Sequence, residues 1–89
     1  MRVQLREGVI IQAVDDEAVL LDTVSETYFA LNPTGHEALD LLLSGVAWEA
    51  MVAELADAYE APEAEIEADV RALVSELTAL GLVVSEPAG

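Results

Sequence analysis

The sequence predicts an α+β fold, a three-stranded antiparallel sheet followed by three helices. Two observations lead there. The first third of the chain holds three short runs rich in β-branched and apolar residues, "VIIQAV", "AVLLDT" and "TYFAL", divided by short polar turns. Connections this short join antiparallel neighbours, because parallel neighbours need a crossover of about a dozen residues. The remainder carries segments with apolar residues at helical spacing, punctuated by Pro33, Gly45, Pro62 and Gly81.

The first strand runs from Val9 to Val14, the second from Ala18 to Thr23 and the third from Thr27 to Leu31. Asp15-Asp16-Glu17 and Val24-Ser25-Glu26 form the turns. Alternation places Thr27, Phe29 and Leu31 on one face of the third strand, with Tyr28 and Ala30 on the other. Asn32 then offers an N-cap with Pro33 at the first helical position, and Thr34-x-x-Glu37 offers an alternative capping box. The first helix reaches about Ser44, burying Ala38, Leu39, Leu42 and Leu43, and Gly45 ends it. The second spans about Ala47 to Tyr59, with Trp48, Met51, Val52, Leu55, Ala56 and Tyr59 on one face. The third starts at Pro62, and Ile66, Val70, Leu73, Val74, Leu77 and Leu80 form its apolar stripe up to Gly81. Residues 82–84 suit a short closing strand or a packed tail, and "SEPAG" reads as a loose end. This order of elements resembles a winged helix-turn-helix.

Composition narrows the function. Eighty-nine residues allow one domain, 1–89, with its core within about 9–84. The 54% hydrophobic content supports a core, and the lack of cysteine removes disulfides, thiolate metal sites and a cysteine nucleophile. It fits a reducing cytoplasm, and no signal peptide or membrane-length apolar run is evident. The net charge is −15, and Arg2, Arg6 and Arg71 are the only cations. Nucleic acid and anionic membrane would both meet a repulsive field, whereas a basic partner would be attracted.

No residue pattern points to catalysis, to a metal or to a cofactor. His36 is the only histidine and has no recognisable partner in the sequence, so an exposed structural role is expected. The many carboxylates could pair as in glycosidases, but a fold this small leaves little volume for a sugar. An acyl carrier would need a serine between Asp and Leu at a helix start; Ser25, Ser44, Ser75 and Ser85 all lack that context. What remains is the third strand. It is an edge with no Lys or Pro to protect it, so its free N–H and C=O groups form a template for another chain. The residues alone leave two readings open: the chain's own tail or last helix shields this edge, or an extended peptide adds as a fourth strand.

Beyond that point the sequence resembles a known family. Leu31-Asn32, Thr34-Gly35, Leu55, Tyr59, Asp69-Val70, Leu77 and Gly81-Leu82 fall in the order and spacing of the PqqD-like family, the recognition elements of ribosomally made and post-translationally modified peptides. The resemblance runs from about Val9 to Val84. Two departures stand out: Ser25-Glu26 replaces a glycine-containing turn, and Ala47 and Ala61 replace polar caps. The resemblance implies a non-enzymatic domain that binds the leader of a precursor peptide against the third strand and in the groove beside the third helix. It implies peptide contacts at Thr27, Tyr28, Phe29, Ala30 and Leu31, and at Asp69, Val70, Arg71, Leu73, Val74 and Leu77. Of these, Leu31, Val70 and Leu77 are expected to be buried. A carboxylate placed at Val74 would then block binding without unfolding the chain, and removal of Arg71 would weaken binding modestly. A free-standing domain of this size is most similar to those of lasso peptide pathways, which hand the precursor to a separate cysteine protease and a cyclase. The alternatives are a partner of a radical SAM enzyme in pyrroloquinoline quinone synthesis and, more remotely, a winged-helix domain that dimerises through its edge.

Overall fold

A computed structural model describes residues 2–15 and 17–86. The elements follow the order β1 (Arg2–Leu5), β2 (Val9–Val14), β3 (Glu17–Asp22), β4 (Tyr28–Leu31), α1 (Pro33–Leu43), α2 (Trp48–Ala58), α3 (Glu63–Ala79) and β5 (Val83–Glu86). The expected three-stranded antiparallel sheet is β2-β3-β4, and three helices follow it. A second sheet, which the sequence reading did not include, pairs β1 with β5 antiparallel and sets Val3 opposite Ser85. It joins the two ends of the chain, so residues 85 and 86 are strand rather than loose end. Residues 87–89 of that predicted tail, and Asp16 of the first turn, lie outside the described residues.

The core forms where the sheet's inner face meets the three helices. Leu20, Leu39, Met51, Leu55, Leu77, Leu82 and Val83 are its fully buried large side chains, and no polar or charged residue among those described is buried with them. Ala18 and Leu20 point inward from β3, and Leu31 closes the inner face of β4. Tyr28, 70% exposed, takes the outer face, as alternation requires.

Local sequence sets the junctions around β4. The turn before it is held by the Asp22 carboxylate, whose Oδ1 accepts from the N–H of Val24 at 2.9 Å and of Ser25 at 3.3 Å. Those two main-chain bonds, with help from the Ser25 side chain, hold the Asp22 pKa below the ordinary aspartate value. Glu26 takes φ 60 here, so a non-glycine residue adopts the left-handed conformation where the family resemblance implied glycine. A carboxyl whose pKa falls on folding stabilises the fold above its unfolded pKa of about 3.9. That contribution is lost as pH falls through the lower folded value. Denaturant titrations from pH 7 to pH 2 should therefore show wild type above Asp22→Asn at neutral pH, with the two converging in strong acid.

After β4, Asn32 is the N-cap of α1: its Oδ1 accepts from Gly35 N–H at 2.6 Å, and Pro33 follows at the first helical position. The Asn32 cap, not the Thr34 capping box, is the one used. Asn32→Ala is expected to cost about 1 kcal/mol, or ~4–8 °C in Tm, read by thermal melting. The other two helices begin without side-chain caps, at Ala47 and at Pro62. Pro62 is thus the cap of α3 rather than its first residue. Gly45 and Gly81, with φ 92 and φ 76, follow α1 and α3 in the conformation that glycine tolerates best.

Candidate peptide-binding groove

β4 pairs with β3 on one side only; among the described residues no strand covers its other side. The direction of its main-chain groups follows from the ladder. Asp22 N–H donates to Thr27 O at 2.8 Å, and Leu20 and Ala18 lie opposite Phe29 and Leu31. Hydrogen-bonding groups alternate along a strand. Thr27, Phe29 and Leu31 therefore bond inward to β3, while the N–H and C=O of Tyr28 and Ala30 face the open margin.

Alongside this margin runs a groove of about 680 Å³. Phe29, Ala30, Leu31 and Asn32 form one side, and Glu65, Ile66, Asp69, Val70, Ala72, Leu73 and Glu76 of α3 form the other. Thr34 and Gly35 of α1, with Tyr59 and Ala61 from the α2–α3 junction, complete the lining. Gly35 leaves room here: a Cβ at that position would stand 3.1 Å from Leu73 Cδ2 and 3.0 Å from Asn32 Oδ1. Tyr59 is fixed at the rim by donating its hydroxyl to Glu37 Oε2 at 2.8 Å, and this bond to a carboxylate raises the phenol's pKa.

The structure divides the residues singled out from sequence. Phe29, Ala30, Leu31, Asp69, Val70 and Leu73 meet in the groove. Leu31 and Val70 are only 4% and 2% exposed, so they support its floor, whereas Phe29 and Leu73 are half-buried. Thr27 precedes the strand, and Tyr28 reaches the site through its main chain rather than through its ring. Val74 and Leu77 do not line the groove; at 3% and 0% exposure they belong to the core. A helix turns about 100° per residue, so the face that buries Ile66, Val70, Val74 and Leu77 leaves residues 65, 69, 72, 73 and 76 beside it. The apolar stripe read from the sequence is wider than the buried face; of the groove-side residues the sequence points to Asp69 and Leu73 but not to Glu65, Ala72 and Glu76, which carry charge or are small. Arg71 also stands apart. It donates to Glu67 Oε1 at 2.8 Å and lies over the Trp48 ring, 5.0 Å from its centroid.

His36 is half-buried rather than exposed, in a shallow depression shared with Asp15, Glu37, Asp40 and Tyr59. Among the described residues no group of three or more His, Cys, Asp or Glu side chains is placed to hold a metal, and no helix is long and apolar enough to cross a membrane.

A three-stranded sheet whose β4 edge is unpaired beside an apolar-floored helical groove is the arrangement that strand addition by an extended peptide uses. The chain belongs to the family described as coenzyme PQQ synthesis protein D (PqqD), which matches residues 17–83. Its fold is similar to two solved structures. One, described as lasso peptide synthetase B1 complexed with the leader peptide, is 29% identical, covers 96% of this chain and 100% of its own, and superposes with a TM-score of 0.89. The other, TbiB1 in complex with the TbiA(beta) leader peptide, is 28% identical, covers 97% of this chain and 98% of its own, and has a TM-score of 0.82. No curated protein matches the chain significantly.

Proposed function

We propose that this protein binds the leader segment of a precursor peptide, without catalysing a reaction itself, and presents it to processing enzymes in lasso peptide biosynthesis. The observation that carries this reading is the open β4 margin beside the groove, in a fold that superposes closely on two leader-bound proteins. The guest adds as a strand next to β4, bonding to the main chain of Tyr28 and Ala30. Its side chains on one face reach the groove, where Phe29 and Leu73 offer partly exposed apolar surface. The enzymes that take the presented leader are a separate cysteine protease and a cyclase.

Magnitudes show where the affinity arises. Tyr28 and Ala30 each offer one donor and one acceptor, and each bond contributes a net ~0.5–1.5 kcal/mol. Ordering a flexible leader costs ~2–5 kcal/mol, so main-chain pairing roughly offsets it. Apolar anchors at ~1.5–3 kcal/mol each must supply the remainder. Titrating a fluorescein-labelled synthetic leader, taken from a short precursor reading frame sought among the genes neighbouring this protein's own, tests the reading. Saturable binding at about micromolar or tighter supports it, and no binding at ~100 μM refutes it.

Arg71, which touches Glu67 and Trp48, falls outside this contact. Arg71→Ala should leave leader affinity within about twofold and lower stability by less than ~1 kcal/mol, measured by the same titration and by urea unfolding.

A further inference from the structure

The helical wall of the groove carries an unbalanced charge. Glu65, Asp69 and Glu76 are exposed, line the groove, and have no cationic partner among the described residues; the ion pair on α3 is Arg71–Glu67. The three carboxylates extend over about 16 Å of helix, close to the length of five residues of extended chain. Between them lie Ile66 and Leu73, with Phe29 across the groove. A guest strand here would bring its side chains up to three negative charges at the border of an apolar floor. Water screens such a site less once a peptide covers it. An acidic guest would be repelled, and a neutral one would leave the carboxylates partly desolvated without partners.

We propose that the segment accepted by this groove is basic, with Lys or Arg on the side chains that face α3 and an apolar side chain between them against Phe29 and Leu73. This inference rests on the reading of the groove as a peptide site. The net charge of −15 adds long-range attraction for such a segment, and the three wall carboxylates convert that attraction into selection at defined positions.

Selection from phage-displayed random 12-residue peptides at low salt tests it, with Ala30→Pro as a counter-selection to keep only binders that need the β4 margin. Wild-type binders should be enriched in Lys and Arg, and synthetic copies should lose about tenfold in affinity when those residues become Gln. Glu65→Gln/Asp69→Asn/Glu76→Gln, which moves the net charge from −15 to −12, should remove most of that tenfold difference. Glu49→Gln/Glu54→Gln/Asp57→Asn, the same charge change on exposed positions of α2, should preserve it. If margin-dependent binders show no basic enrichment, or if both triple variants respond alike, the charged-wall proposal is overturned while the groove reading stands. If no selected binder depends on the β4 margin, the groove reading falls and takes this proposal with it.

Discussion

Ala30→Pro is expected to weaken leader binding by about 10- to 100-fold and to leave the fold standing. Proline removes the Ala30 N–H, one of the groups directed at the open margin, and sets its ring where the guest's carbonyl would approach. The neighbouring bonds from Tyr28 are then misaligned as well, so one to three kcal/mol, roughly, is lost from a contact that main-chain pairing only just balances. The fold survives because Ala30 makes no inward hydrogen bond; its neighbours Phe29 and Leu31 hold β4 to β3. Edge strands accept proline at such outward positions. Ala13→Pro is the matched control. Thr23 N–H donates to Gly8 O, so by the same alternation Ala13 faces outward from β2, at a margin away from the groove. Circular dichroism should show both variants folded, and titration should show a loss only in Ala30→Pro. Equal binding by the two variants would remove strand addition at β4 from the mechanism.

How far the sequence revealed this site follows from the range of each interaction. β2, β3 and β4 were legible because their residues alternate and their turns are short, and the three helices because their apolar positions repeat and Pro33, Gly45 and Gly81 punctuate them. β1 was not read, although Arg2, Val3, Gln4 and Leu5 alternate and Val3 is 3% exposed. It spans four residues, two of them polar, and it is stabilised by β5 at the far end of the chain, a pairing that no local pattern announces. In the same way, the sequence marked β4 as an unprotected edge but could not show whether β5 shielded it. β5 pairs with β1 instead. On α3 the period identified an apolar face but not its limits. Leu73 and Val74 look equivalent in the sequence, and only the positions of β4 and α1 distinguish the groove from the core.

That distinction gives the sharpest comparison in the molecule, between two adjacent residues. Leu73→Glu is expected to reduce leader binding by at least about tenfold with the domain still folded. Leu73 is half-buried at the groove, so a glutamate there can direct its carboxylate to water along a helix it suits, while the apolar anchor is lost. Val74→Glu is expected to unfold the domain. Val74 is 3% exposed in a core that holds no other charge, and an unpaired buried carboxylate costs several kcal/mol against a total stability of ~5–15 kcal/mol for a domain. The expectation from sequence, that a charge at Val74 would block binding in an intact fold, thus passes to its neighbour. Urea unfolding measured beside leader titration separates the two effects: a Val74→Glu protein as stable as wild type, or a Leu73→Glu protein that binds like wild type, would mean that α3 is rotated from the orientation described and that the groove lies on another face.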